Sequence, residues 1–272
     1  MSGSNGKRIA DCNPTERFSA RAENYFKFRP GYPQSIVAVL RDECGLAADS
    51  VVADIGSGTG LLTRLFLENG NQVRGVEPNA EMRRAGERSL LSYRAFHSIA
   101  GRAEDTTLPP RSVDFIVVGQ AFHWFDPVDA RAEFARIVKP GGWVVLVWNQ
   151  LDMDAPFVQG YMGLLSRYAL GVPTIDHRER DSTASARFFG ESSYRAKMFA
   201  QAEELNYEVL QGRLLSLSFM PQLGHPSLDR MLAQLRTLFL THANDGLVTY
   251  SRITTMFYGQ LAGCKRRSAS SA

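Results

Sequence analysis

The chain has 272 residues, 44% of them hydrophobic and 22% charged, and a formal net charge of +3. Those proportions are ordinary for a soluble globular protein and allow one large domain or a domain with a cap. They argue against a nucleic-acid binder, because the positive excess is slight, and no apolar run approaches the roughly 18–20 residues that span a bilayer.

Cys12, Cys44 and Cys264 are dispersed and odd in number, so they read as reduced thiols. Neither they nor the five histidines show metal-ligand spacing, so no metal is expected. With no signal-peptide apolar region at the start, the expectation is a cytoplasmic protein, monomer or homodimer.

In chain order, residues 1–14 are Gly/Ser-rich and polar and read as a disordered lead-in. Thr15 then caps a helix ended by Pro30, with Phe18, Tyr25, Phe28 and Tyr32 at helical spacing. Gln34–Cys44 reads as a second amphipathic helix, so residues 15–45 form a helical pair ahead of the core.

The core begins with Val51-Val-Ala-Asp54-Ile-Gly56-Ser57-Gly58-Thr59-Gly60 and the apolar-periodic Leu61, Leu62, Leu65 and Phe66. This is a doubly buried strand, a glycine turn and a helix. Glycines at alternating positions let a ligand approach the main chain without meeting a Cβ. The helix behind aims unpaired N–H groups at the turn. The turn fails the dinucleotide fingerprint, since its third glycine comes one place early at Gly60, and it lacks the Gly-Lys-Ser/Thr of a phosphate loop. Asp54 stands two residues before the first glycine, where its charge would repel a pyrophosphate. The ligand implied is a nucleoside without phosphates, carrying positive charge.

Further strands follow at Gln72–Glu77, Phe96–Ala100, Val113–Gly119 and Trp143–Asn149, with helices at 61–69, Asn79–Ser89 and Pro127–Val138 between them. Beyond 150, Pro156–Leu170, Leu205–Ser218 and Ser227–Ala243 read as helices over the sheet, and Met198–Glu204 as a sixth strand. His177–Arg187 reads most simply as a solvated loop, with a clamp for an anionic substrate (Arg178, Arg180, Arg187) as the sharper alternative. Leu247–Leu261 has strand character and reads as an antiparallel last strand; Lys265–Ala272 is a basic, Ser-rich tail.

Four segments in order carry a resemblance: Asp54-Ile-Gly-Ser-Gly-Thr-Gly60, Val73-Arg-Gly-Val-Glu77-Pro78-Asn79, Val113-Asp-Phe-Ile-Val-Val-Gly119 and Ile137-Val-Lys-Pro-Gly-Gly-Trp143. Together they resemble the class I S-adenosylmethionine (SAM) methyltransferases, in particular the type 11 and trans-aconitate methyltransferase-like groups. The resemblance implies an α/β fold: a Rossmann-like, seven-stranded, mostly parallel sheet with an antiparallel last strand, helices on both faces and a helical lid or cap. It divides the chain into a lead-in 1–14, lid helices 15–45, a SAM-binding core 46–150, a helical cap with the sixth strand 151–245, the last core strand 246–262 and a tail 263–272.

The resemblance also assigns the site. Asp54, Gly56, Ser57, Gly58, Thr59 and Gly60 form the cofactor loop, and Glu77, followed by Pro78, accepts the ribose hydroxyls. Met82 covers one adenine face. Where many relatives carry an Asp this chain has Arg102, so the Ala103 backbone and Glu104 are the substitutes considered for the adenine amino group, with Asp105 as a further choice. Gln120 falls at a strand end beside the ligand. Tyr25 or Arg29, in the lid, would reach the methionine carboxylate. A His-Trp pair after the fourth strand recurs in such relatives, which makes His123 a base or orienter and Trp124 part of the substrate wall. The activity implied is methyl transfer to a small molecule, onto a carboxylate or hydroxyl oxygen; the alternatives are N- or C-methylation, or SAM binding without transfer. RNA or protein methylation is disfavoured, since no RNA module or basic-aromatic interleaving is present.

Overall fold

The computed structural model describes residues 30–170, 178–190, 194–217 and 219–261. The expected lid segment with Tyr25 and Arg29, and the basic tail, lie outside them.

The elements run α1 (Ser35–Cys44), β1 (Val51–Ile55), α2 (Leu61–Glu68), β2 (Gln72–Val76), α3 (Ala80–Ser89), β3 (Phe96–Ile99), β4 (Val113–Gly119), α4 (Pro127–Ile137) and β5 (Val138–Leu151). They continue with α5 (Pro156–Tyr168), α6 (Arg178–Phe189), β6 (Tyr194–Leu205), α7 (Tyr207–Ser216), α8 (Leu228–His242) and β7 (Val248–Gly259). The seven strands form one sheet in the order β3-β2-β1-β4-β5-β7-β6. Pairings from β3 across to β5 are parallel, and β7 runs antiparallel to both β5 and β6. The Rossmann-like sheet read from the sequence, with its antiparallel last strand, is therefore the observed one. Strand order reverses between β1 and β4, so the carboxyl ends of these strands flank a crevice.

The central strands are apolar on both faces because helices cover both. Ile116 and Val118 of β4 pack with Phe134 of α4 and Phe188 of α6 on one side. Phe115 and Val117 pack with Ile36 of α1 and Phe66 of α2 on the other. A third apolar cluster belongs to the cap: Tyr161 and Leu165 of α5, Leu210 and Leu214 of α7, and Met231 and Leu235 of α8. Val248 and Tyr250, at the start of β7, lie in that cap cluster, while Phe257 and Tyr258 near its end lie in the sheet cores. One strand thus ties the cap to the sheet.

Two expectations need revision. The expected loop His177–Arg187 is, over the residues described, a helix covering Arg178–Phe189, anchored by the buried Phe188 and Phe189 at its end. The sixth strand is longer than the segment read from the sequence, running from Tyr194 to Leu205. Its first half is exposed at Arg195–Met198, at the sheet edge, where Arg195 and Lys197 reach Glu43 at 3.1 Å each. Charged residues of this kind protect an edge from further pairing, and they blur the strand signal.

Candidate active site

A cavity of about 350 Å³ lies at the carboxyl ends of β1, β2 and β4. Of the residues expected to hold a cofactor, Asp54, Gly56, Ser57, Gly58 and Thr59 line it from the first turn. Glu77, Pro78 and Met82 line it from the second strand end and α3, and Ala103, Glu104 and Gln120 from the opposite side. Gly60 does not reach the wall; it is the N-cap of α2 with φ 88°. Trp124 lines the cavity, whereas His123 is exposed on the short 3-10 turn Phe122–Trp124 and is not part of the wall. Phe125 is the aromatic that accompanies Trp124 there.

Local chemistry fixes the glycine turn. The N–H groups of Gly56 and Ser57 donate to the Val76 carbonyl, at 2.8 and 3.1 Å, so the turn is tied to the end of β2. Gly56 has φ 72°, and a Cβ there would stand 2.6 Å from the Ala121 Cβ. Gly58 has φ 56°. These are left-handed conformations that only glycine adopts without strain.

Glu77 organises the other side. Its Oε2 accepts from the Gly58 N–H at 2.9 Å, and its Oε1 from the Asn79 N–H at 2.8 Å. Each carboxylate oxygen keeps a further lone pair for a ligand hydroxyl. Burial raises the Glu77 pKa, and the two main-chain N–H bonds hold the rise down. The sequence reading missed that Glu77 itself locks the glycine turn. It also left out Asn79, whose side chain accepts from the Glu81 and Met82 N–H groups, caps α3 and so fixes Met82.

Asp54 is 1% exposed. Its Oδ2 accepts from the Thr63 hydroxyl at 2.6 Å, while Oδ1 has no hydrogen-bond partner among the described residues. Desolvation pushes its pKa up to about 7, opposed by the hydrogen bonds from Thr63. An orphaned carboxylate oxygen facing a cavity is a site waiting for a cation or a donor.

On the far wall Arg102 lines the cavity and pairs with Glu104 at 3.4 Å. Glu104 also accepts from the Asp126 N–H at 2.9 Å, which fixes the turn into α4. Gln120 has φ 56°, an uncommon conformation for a residue with a side chain. Its amide donates to the Asn149 carbonyl at 2.6 Å, which clamps the end of β4 to β5.

A second cavity of about 130 Å³ adjoins the first; the two share Tyr32, Leu61 and Gln120 as walls. The cap contributes Tyr161, Leu165, Arg213 and Leu217 to it, and β7 contributes Tyr250 and Arg252. Sequence reasoning did not find these residues, because only the fold brings α5, α7 and β7 together. Of the arginines it weighed as an anion clamp, Arg187 is exposed on α6 and does not line this cavity, while the side chains of Arg178 and Arg180 lie outside the described residues.

Comparison with known proteins decides the class. Residues 53–146 match the family model described as a methyltransferase domain. That stretch of the chain carries a methyltransferase domain. Among similar proteins, an uncharacterized methyltransferase-like protein of Schizosaccharomyces pombe is 28% identical over 228 residues, 84% of this chain and 87% of the relative. An uncharacterized methyltransferase of Mycobacterium tuberculosis is 38% identical over 150 residues, covering 55% of this chain and 59% of the relative. A provisionally assigned type II methyltransferase structure from Anaeromyxobacter dehalogenans superposes with TM-score 0.64 at 24% identity, covering 86% of this chain and 98% of that one. The YcgJ protein of Bacillus subtilis superposes with TM-score 0.52 at 19% identity, covering 84% and 98%. At these identities the two structures speak for the fold of the methyltransferase. No helix among the described residues is long and apolar enough to cross a membrane, and no cluster of metal-binding side chains occurs among them.

Proposed function

We propose that this methyltransferase binds SAM in the larger cavity and transfers its methyl group to an oxygen of a small molecule held in the smaller one. The observation that carries the reading is the pair of buried acids facing one cavity: Glu77, 8% exposed, beside the glycine turn, and Asp54 with its orphaned oxygen. The donor set fits a phosphate-free cationic nucleoside. Glu77 would accept the vicinal ribose hydroxyls, Asp54 would meet the ammonium of the methionine part, and Met82, Ala103 and Glu104 would hold the adenine. A pyrophosphate at this rim would meet two carboxylates.

When bound, SAM supplies an electrophilic methyl carbon: the acceptor's lone pair forms the new bond as the carbon–sulfur bond breaks, leaving S-adenosylhomocysteine. The chain's part is to align the acceptor and exclude water. Gln120, held in its strained conformation at the junction of the two cavities, marks where cofactor and acceptor meet. Among the described residues the walls of the smaller cavity bring no histidine and no carboxylate to the acceptor. An acceptor already ionised, such as a carboxylate, suits those walls, and positioning replaces a base. His123 has no part in this scheme, and Trp124 would help close the cavity around the cofactor.

Calorimetry with SAM tests the assignment. Glu77→Ala removes both the ribose acceptor and the lock on the turn, and should weaken SAM by about 1–3 kcal/mol, roughly 5- to 150-fold. Unchanged affinity would overturn the placement of the cofactor.

A further inference from the structure

Among the described residues the smaller cavity is lined by two arginines and by no acidic side chain. Both are buried, Arg213 at 8% and Arg252 at 4% exposure. Arg252 sits on β7 between Gln201 of β6 and Leu151 of β5, and its Nε donates to the Gln201 Oε1 at 2.9 Å. Arg213, on α7, has its guanidinium carbon 4.8 Å from the centre of the Tyr250 ring.

One carboxylate serves both cations. Glu203 Oε2 accepts from the Arg213 Nη2 and lies 2.9 Å from the Arg252 Nη1. That contact to Arg252 is an ion pair without hydrogen-bond alignment, and the Arg252 Nη1 has no hydrogen-bond partner among the described residues. The Nε and Nη1 of Arg213 are likewise buried and without one. Among the described residues two positive charges therefore share a single negative one, and the Nε and Nη1 of Arg213 have no acceptor, while the Nη1 of Arg252 has only the shared Glu203. A buried, unmet charged donor is costly, because its hydration is lost and nothing replaces it.

From this geometry we infer that Arg213 and Arg252 form an anion-binding subsite that anchors the acceptor by an acidic group distinct from the atom that is methylated. The inference rests on the reading of the larger cavity as the SAM site, since only then is its neighbour the acceptor chamber. A planar guanidinium presents paired donors that match the oxygens of a carboxylate or phosphate. An oxygen held by two guanidinium groups is a poor nucleophile, so the anchored group orients the acceptor while another atom faces Gln120. The arginines that choose the substrate are thus those buried in α7 and β7.

Calorimetry on the wild-type complex with S-adenosylhomocysteine tests this, with glutarate, methylphosphonate and the neutral glutaramide as probes. At least one acid should bind, and glutaramide should bind at least ~10-fold more weakly than glutarate. Arg213→Gln and Arg252→Gln should each weaken the acid by ~10-fold or more, with S-adenosylhomocysteine affinity unchanged. The ranking of glutarate against methylphosphonate separates a carboxylate anchor from a phosphate one. Binding of neither acid, equal binding of acid and amide, or variants that bind the acid as the wild type does would each overturn the subsite. If an arginine variant does not fold, the acid–amide comparison on the wild type still decides. Failure of the wild type to bind S-adenosylhomocysteine would strike the cofactor reading instead, and the same probes on the free protein would then judge the anion site by itself.

Discussion

Asp54 shows how one residue couples folding to ligand chemistry. It is placed at the end of β1 by parallel pairing with Gly75 and Val117, in surroundings that leave it almost no water. In an unfolded chain its carboxyl ionises near the ordinary value of about 4. In the folded protein burial moves it up to about 7. Between those values the folded state holds a proton that the unfolded state has released, so stability falls as pH rises toward 7. The ionised form is what a cationic ligand wants, so SAM affinity should rise over the same interval as binding releases the proton. Asp54→Asn separates the two effects. The variant should match the wild type in chemical denaturation at pH 4, gain on it by about 1 kcal/mol or more at pH 8, and lose the rise of SAM affinity with pH. A wild type whose stability relative to the variant does not fall between pH 4 and pH 8 would contradict the buried, raised carboxyl.

Helix α3 is positioned by its first residue. The Asn79 side chain caps α3 by accepting from two main-chain N–H groups, and its own main-chain N–H donates to Glu77, so one residue links Glu77, the helix start and Met82. Asn79→Ala should cost about 0.5–2 kcal/mol of stability, the scale for a lost N-cap, and should weaken SAM as well, because Met82 loses its fixed place. Denaturation and SAM calorimetry on one variant check both. A stability loss with SAM affinity intact would mean the cap serves only the helix. Elements of this kind were legible in the sequence, since caps, glycine turns and apolar strand runs are local signals: β1, β4 and the helices between them fall where the residue pattern puts them. The acceptor side was not legible. Arg252 acquires its meaning by pairing across β7 with Gln201, 51 positions away in the chain, and Arg213 by the packing of α7 against Tyr250. A run of charges such as 178–187 stands out in a sequence, whereas single arginines in amphipathic segments do not.

The whole molecule has two apolar bodies joined by β7, and under the proposed function these separate the wall of the cofactor cavity from that of the acceptor cavity. The glycine turn, Glu77 and Asp54 rest on helices and strands of the sheet cores, and the cap cluster around Met231, Leu235 and Tyr161 supports the other wall. Met231 is fully buried in that cluster, on α8. Met231→Ala removes a long side chain from a packed site, which costs about 2–5 kcal/mol where the surroundings cannot close the gap. The cavity loosens α8, and through the cap cluster it loosens α5 and α7, which carry Tyr161 and Arg213. None of the residues that line the larger cavity comes from these helices. The variant should therefore melt at lower temperature and bind glutarate, or whichever acid the wild type takes, several-fold more weakly. Its affinity for S-adenosylhomocysteine below the melting transition should stay within about twofold of the wild type, the additivity expected of sites without shared partners. Parallel loss of both affinities would mean that cap and sheet act as one body, so that β7 transmits the damage instead of containing it.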